Sequence, residues 1–172
     1  MSNKTVIDAA FNKHLKKAEN ALFKAGIIMS DTSKEILQTN KKYVTREVYK
    51  GIYQNLTIQP GKMILTFGNN ARSKSGFPYA AAVETGRKAG KMPPVRDIRD
   101  WLMERNRVHG EILGIQKGFS NKKSAKISEL KRINTVAFLI ARKIGKTGTR
   151  PFPFMTPGYN AGLKKFLELI NA

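Results

Sequence analysis

The residue types that perform catalysis are few in this chain and far apart. It contains two histidines, His14 and His109, and no cysteine. Metal sites and acid–base pairs need two or more such side chains at short, regular spacing, and neither histidine has a second ligand at that spacing. We therefore interpret both histidines as surface residues, and we expect no metal site, no thiolate chemistry and no disulfide.

The carboxylates offer no better catalytic pair. Glu84 is the only acid between Tyr79 and Gly90, and a lone carboxylate cannot divide the roles of acid and base. Asp97 and Asp100 lie three residues apart near a predicted helix start, where the positive end of the helix dipole already explains them. The sequence predicts a protein that is not an enzyme.

A nucleotide site is also not predicted. The run Gly145-Lys146-Thr147 has the letters that end a Walker A loop, but that loop needs a glycine five residues earlier, where this chain has Ile140. The run also follows a periodic apolar segment, whereas a Walker A loop opens a helix. We expect no cofactor.

Charge is the strongest feature of the composition. The 172 residues carry 32 Lys+Arg and 12 Asp+Glu, a formal net charge of +20. A charge of this size favours acidic partners, of which nucleic acid is the most common. Many of the cations lie between Lys122 and Lys146, which favours either the solvated face of a helix or a non-specific contact with DNA, since no recognition motif accompanies them.

Two Gly/Pro-rich blocks have the character of contact loops, Pro78–Gly86 and Gly145–Pro157. Irregular stretches lie on surfaces because a buried loop leaves backbone polar groups without partners. In the second block, Phe152 and Phe154 stand between prolines that prevent a helix or a central strand. Either the chain's own core or a neighbouring subunit must therefore hold these rings. Trp101, by contrast, lies among apolar residues and is interpreted as core.

The N-terminal part of the chain predicts a helix followed by a hairpin. Apolar residues recur every three or four positions over Asp8–Ala25, and Gly26 is the expected stop. A polar stretch without firm periodicity follows. The segments Ile52–Ile58 and Met63–Gly68 have the composition of strands, joined by a turn at Pro60-Gly61.

The remainder predicts a third strand and three helices. In chain order these are a strand at Tyr79–Glu84, a helix started by Pro94, a loop at Arg107–Asn121, a helix at Ser124–Ile144, and a helix from Pro157. Gly145 is expected to end the long helix and Thr156 to cap the last one. The predicted class is α+β: a small antiparallel β-sheet packed against a long helix, with N-terminal and C-terminal helices. We expect a single domain, 1–172, with an N-terminal helix and polar arm (1–42) and an α+β core (43–172).

These elements also form an ordered set of motifs. They are Tyr79–Gly86 (YAAAVETG), Pro93-Pro94 with Trp101, Ala137–Gly145 (AFLIARKIG) and Gly148–Phe154 (GTRPFPF). Their order resembles the tail-completion and minor-tail-protein-Z-like family of tailed bacteriophages, whose pattern runs Y-A-x-x-V-E-x-G-T, P-P…W, A-x-A-I-A-R-x-I and G-T-x-P-x-P-F-L-x-P-A. The match covers about half of the chain, Phe77–Ala161. Arg87 replaces the threonine of the first motif, and Thr45–Ile52 stands where the family has P-x-D-T-G-x-L.

The resemblance implies a structural virion protein of a tailed bacteriophage. Such a subunit forms a homo-oligomeric ring at the head–tail junction or the tail end, as a tail-completion, neck or connector protein, and has no enzymatic activity. The implied partners are neck, portal or tail proteins, in a virion assembled in the host bacterial cytoplasm. Our hypothesis places the subunit interface at the ends of the two blocks, at Arg87, Lys88, Lys91, Arg150, Phe152 and Phe154.

The alternative hypothesis is a basic accessory protein that binds DNA without sequence specificity. Under either hypothesis no membrane partner is expected. The N-terminus lacks the apolar region of a secretory signal, and no apolar run approaches the ~20 residues that span a bilayer.

Overall fold

A computed structural model describes residues 3–40, 47–72, 76–109 and 123–172 of the chain. In chain order the elements are α1 (Asn3–Thr39), α2 (Glu47–Gly51), β1 (Ile52–Gln59), β2 (Lys62–Asn69), α3 (Tyr79–Thr85), α4 (Val95–His109), α5 (Lys123–Thr147) and α6 (Met155–Asn171). The predicted α+β class is confirmed, with a small antiparallel sheet and helices at both ends of the chain.

The chain groups into two compact units. Unit 1 comprises Met1–Asn40, Tyr49–Asn70 and Pro153–Ala172, and unit 2 comprises Lys41–Val48 and Ala71–Phe152. Unit 1 therefore contains α1, the hairpin and α6, while unit 2 contains α3, α4 and α5. The predicted single domain, with an arm at 1–42 and a core at 43–172, stays a prediction. The two compact units follow other boundaries, because unit 1 contains both the first and the last helix.

The first helix of unit 1 is longer than its sequence predicts. α1 runs without a break for 37 residues and passes through Gly26, so the predicted stop there is wrong. Gln54 and Leu65 of the hairpin approach Gly26 so closely that a Cβ at this position would lie 3.0 Å from the Leu65 side chain. This close packing offsets the roughly 1 kcal/mol that a glycine costs inside a helix.

The two strands pair as predicted. β1 and β2 are antiparallel, in a register that runs from Ile52 opposite Asn69 to Gln59 opposite Lys62. The turn between them contains Gly61 at a φ of 72°, a conformation that glycine adopts without strain. The hairpin packs against the N-terminal helix α1, whereas the long helix named in the predicted architecture is Ser124–Ile144.

α6 lies antiparallel along α1 and is packed very tightly against it. A Cβ built on Gly158 would lie 2.6 Å from the carbonyl oxygen of Met29, and one built on Gly162 would lie 2.6 Å from that of Ala25. Because real Cβ atoms do not come so close to backbone oxygens, only glycine fits at these two positions. The i, i+4 pair of glycines thus brings the two helix backbones together.

The start of α6 differs from its prediction. The helix begins at Met155, and Phe154 occupies the N-cap position without a side-chain hydrogen bond, so Thr156 is inside the first turn and does not cap it. Phe154 is fully buried. The burial of that ring, rather than a polar cap, fixes the helix start.

In unit 2, the predicted third strand is wrong. Residues Tyr79–Thr85 form the short helix α3, in which the Thr85 hydroxyl donates to the carbonyl oxygen of Ala81 over 2.9 Å. Three consecutive alanines have the highest helix propensity of any residue type, and neither strand of the hairpin pairs with this segment.

The core of unit 2 lies between α4 and α5. Leu102, Ile133 and Ala137 are buried there, and Trp101 packs against them half-buried, which confirms its interpretation as core. α4 begins after Pro94, whose carbonyl accepts from the backbone N–H of Asp97 over 3.1 Å. The predicted loop Arg107–Asn121 begins three residues too early, since α4 continues to His109, and its residues 110–121 lie outside the described part of the chain.

We predict that Gly162→Ala destabilises the protein by about 1–3 kcal/mol, because the added methyl group must push α6 away from α1. The exposed position between the glycines gives a matched control, Asn160→Ala, which should change the free energy of unfolding by less than about 0.5 kcal/mol. Urea unfolding followed by circular dichroism measures both. Equal effects of the two substitutions would contradict the tight helix contact.

Candidate interaction surface

The two blocks singled out in the sequence meet within unit 2. The backbones of Arg87 and Thr149 exchange two hydrogen bonds, of 3.1 and 2.8 Å, as an isolated antiparallel bridge. The N–H of Phe152 donates to the Val83 carbonyl over 2.8 Å. We name the paired segments Val83–Lys91 and Gly145–Phe152 the clip.

A third connection ties the basic loop of the clip to the end of α5. The N–H of Gly90 donates to the carbonyl of Gly145 over 2.8 Å. Gly145 does not end α5 as predicted, because the helix continues to Thr147 and Gly148 follows at a φ of 72°. Two carbonyls of the last turn of α5 thus accept hydrogen bonds from outside the helix. Gly145 accepts from the Gly90 N–H, and Ile144 accepts from the Gly148 N–H over 2.8 Å.

Two glycines allow the clip to close. Gly86 and Gly148 have φ values of 73° and 72°. A Cβ on Gly86 would lie 2.6 Å from the carbonyl oxygen of Thr149, and a Cβ on Gly148 would collide with the carbonyl oxygen of Arg87. Each position therefore needs glycine both for its backbone conformation and for the space around it.

Three of the four cationic residues predicted for a subunit interface have exposed side chains, namely Lys88, Lys91 and Arg150. Arg87 is half-buried and used within the clip, since its guanidinium donates to the carbonyl of Lys91 and lies 5.9 Å from the centre of the Phe77 ring. Arg87 thus shapes the loop, while the other three cations extend from it.

The two predicted aromatic contacts have different environments. Phe154 is fully buried in the chain, so of the two environments that the sequence left open its ring has the chain's own core: a ring between two prolines still reaches a core when the next residues start a helix. Phe152 is half-buried. Of the two, only Phe152 retains surface for a neighbour.

Large exposed apolar side chains on α1 are a feature that sequence reasoning missed. Ile7, Phe11 and Leu15 are 67%, 62% and 39% exposed. Eighteen residues make five full turns of an α-helix, so two residues that far apart lie on the same face. Ile7, Phe11 and Leu15 therefore share a face with Ala25, Met29 and Ser33, which follow them by eighteen residues. The last three are buried.

The reason is the length of α6. The side-chain nitrogen of Lys17 donates to the carbonyl of Ile170 over 3.1 Å, which places the last turn of α6 beside Lys17. Every side chain from Ile7 to Lys17 is exposed. We name Ile7, Phe11 and Leu15 the α1 overhang. Apolar periodicity alone does not reveal it, because the exposure of these residues depends on where the partner helix α6 ends.

A second apolar stripe is exposed on α6. Tyr159, Leu163 and Leu167 follow one another every four residues and are 50%, 39% and 50% exposed. Each of them follows directly after a residue of the helix face that contains the two glycines and contacts α1. Since an α-helix turns by about 100° per residue, the three side chains lie about 100° around α6 from that face. We name these three residues the α6 stripe.

A shallow groove of about 390 Å³ lies along the outer side of α1. It is lined mainly by Lys13, Lys16, Lys17 and Lys24, with Leu169 of α6 at one wall. Lys17 is engaged with Ile170, and Glu19 lies between these lysines on the same helix. The groove itself is therefore lined by cations, one of which is already engaged, and Glu19 is not part of its lining.

The described residues contain no group of three or more His, Cys, Asp or Glu side chains that could hold a metal ion. His14 is exposed on α1, and Asp100 pairs with Arg99 over 2.9 Å. Among the described helices, none is long and apolar enough to cross a membrane. Comparisons with family models, curated proteins and solved structures find no match for this chain.

We predict that Gly148→Ala opens the clip, while Gly61→Ala does not. Both glycines have a φ of 72°, so alanine strains the backbone equally at the two positions. Nothing lies within 4 Å of a Cβ at Gly61, so only Gly148→Ala adds a collision. Gly148→Ala should cost about 2 kcal/mol more than Gly61→Ala, from the loss of two backbone hydrogen bonds. Amide hydrogen exchange should show lost protection at Arg87 and Thr149 in Gly148→Ala alone, and unchanged protection would argue against the clip.

We also predict a large difference between the two phenylalanines. Phe154→Ala should reduce the free energy of unfolding by about 3–5 kcal/mol, because it empties a fully buried site. Phe152→Ala, at a half-buried site, should cost less than half as much. Chemical denaturation measures both, and equal costs would show that Phe154 is not the anchor of α6.

Proposed function

We propose that this chain is a structural virion protein of a tailed bacteriophage, a ring-forming subunit of the head–tail junction or the tail end that is needed for particle assembly. The proposal combines the ordered motifs of Phe77–Ala161 with one structural observation, the α1 overhang. A protein that works alone gains nothing from three large apolar side chains held in water. A subunit gains about 1.5–3 kcal/mol for each one that a neighbour covers.

The exposed first turns of α1 support assembly in a second way. An isolated helix of about twelve residues is marginal in water, since most helix stability in proteins comes from packing of an apolar face. The segment Asn3–Lys16 precedes the residue beside which α6 ends. Coverage of the overhang by a neighbouring subunit provides the packing that the chain itself does not.

The geometry favours a head-to-tail contact. The α1 overhang and the α6 stripe are different surfaces, and each extends over nine residues of helix, or about 12 Å from the first Cα to the last. A patch that binds a different patch on the next copy produces a ring when the rotation closes. In this proposal the overhang of one copy packs on the α6 stripe of the next copy.

The partners in this proposal are other copies of the chain and the neck, portal or tail proteins of the virion, and the chain has no enzymatic role. The competing proposal is a DNA-binding accessory protein, supported by the exposed cations. The two differ in affinity for duplex DNA at physiological salt. A virion subunit should bind weakly, while a dedicated DNA-binding protein should keep a sub-micromolar Kd.

The assembly proposal predicts that Phe11→Asp and Leu163→Asp each leave a folded monomer, because a charge in either surface opposes burial of the contact. Sedimentation velocity at increasing concentration measures the loss of oligomers, and circular dichroism checks the fold. Ile58→Asp is the matched control, since Ile58 is 53% exposed on the hairpin and belongs to neither surface.

An equimolar mixture of the two variants tests the head-to-tail arrangement. Each variant retains one intact surface, so the mixture should form dimers that cannot extend or close. Recovery of full-size oligomers, or a wild-type protein that stays monomeric at the highest soluble concentration, would contradict the proposal.

A further inference from the structure

The cations of the clip remain without a role in the proposed subunit contact. Four of them have exposed side chains, Lys88, Lys91, Lys146 and Arg150. The backbone hydrogen bonds of the clip bring them to one end of unit 2, although they come from segments about sixty residues apart. Two further exposed cations, Arg142 and Lys143, precede them on α5.

Carboxylates are scarce in the two segments that form this surface. Glu84, at the start of the first segment, is their one acid, and the chain has no Asp or Glu between Glu84 and Asp97 or between Glu129 and Glu168. Within the described part of the chain, the side chains of Lys88, Lys91 and Arg150 have no hydrogen bond or ion pair. The described residues therefore leave these three positive charges without a partner.

Helix-dipole stabilisation explains only part of this charge. Lys146 lies in the last turn of α5, where the negative end of the helix dipole stabilises a cation. Lys88 and Lys91 lie instead on a loop that Arg87 shapes from within, by its bonds to the Lys91 carbonyl and its position over Phe77. The backbone positions of Lys88 and Lys91 are therefore set by contacts within the clip before any partner binds.

A second copy of the chain is a poor partner for this surface. Equivalent surfaces on two copies would bring like charges together, and the chain has only 12 acids to oppose its 32 bases. An acidic protein is also disfavoured, because protein interfaces have an apolar centre, whereas the loop tip consists of Lys88, Ala89, Gly90 and Lys91. A partner with closely spaced negative charges and no apolar contact surface matches a loop tip of this composition.

We propose that the clip binds the phosphate backbone of duplex DNA without sequence specificity. Duplex DNA presents one negative charge about every 1.7 Å along its axis, and Lys and Arg side chains that approach it release bound counterions. The contact goes beyond the proposed structural role and does not require a ring. The lysine groove of α1 is the weaker candidate because one of its four lysines, Lys17, is already engaged with the Ile170 carbonyl.

The test compares two triple variants that remove the same charge. The clip variant is Lys88→Gln, Lys91→Gln and Arg150→Gln, and the control is Lys13→Gln, Lys16→Gln and Lys24→Gln in the α1 groove. All six positions are exposed, so both variants should keep the wild-type melting temperature. Fluorescence anisotropy with a labelled duplex of mixed sequence, from about 50 to about 200 mM salt, gives the affinity and its salt dependence.

For the clip variant we expect at least about tenfold weaker binding at the lowest salt and a slope of log K against log salt that is smaller by about 2–3. The control should lose much less of both. Equal losses in the two variants would mean diffuse attraction, and a loss in the control alone would place DNA on the α1 groove. Either result overturns the proposal.

A second probe separates DNA from acidic protein. Poly-glutamate at matched charge concentration should bind the wild-type protein more weakly than the duplex does; tighter binding of poly-glutamate would overturn the DNA assignment. Sedimentation of the clip variant keeps this question apart from assembly. Because the clip lies outside the α1 overhang and the α6 stripe, oligomers that persist in a variant with lost DNA binding support both proposals, while lost oligomers count against assigning the clip to DNA alone.

Discussion

The close approach of α6 to α1 determines which surfaces of unit 1 stay uncovered. Gly158 and Gly162 let the two backbones touch, and this contact fixes where along α1 the shorter helix lies. The last turn of α6 then reaches Lys17 and goes no further. From Lys17 back to Ile7 the described side chains of α1 are exposed, so the same contact that stabilises the unit also leaves the overhang uncovered by α6.

Unit 2 uses glycine in a different way. At Gly86 and Gly148 the requirement is a positive φ as well as space, and together they permit a backbone bridge between segments that are distant in the chain. The bridge gathers cations instead of apolar groups. Unit 1 thus exposes the α1 overhang and the α6 stripe, which suit contacts between subunits, and the clip of unit 2 exposes cations, which suit a polyanion.

Local sequence signals predicted the local parts of the fold. Pro60-Gly61 between two β-rich segments defined the hairpin, the apolar spacing defined α5, and the neighbours of Trp101 placed it in a core. Tertiary contacts decided the rest. Gly26 is inside a helix because the hairpin packs on it, which no pattern within α1 reveals.

The candidate surfaces follow the same division. The two blocks were recognised from composition, and Lys88, Lys91 and Arg150 are exposed as expected for contact residues. Their mutual pairing was not predictable, since a single bridge between Arg87 and Thr149 has no periodicity and no turn signal. The burial of Phe154 was not predictable either, because a ring next to prolines looks the same in sequence whether it faces a neighbour or its own core.

The central claim is that copies of this chain assemble through the uncovered helix faces of unit 1. Electron microscopy of the purified full chain, imaged across a concentration series, tests it most directly. The account predicts closed rings of uniform copy number at high concentration, with the α1 helices at the contacts between adjacent subunits. Single, unassociated particles at every concentration, or pairs related by a two-fold axis, would contradict it.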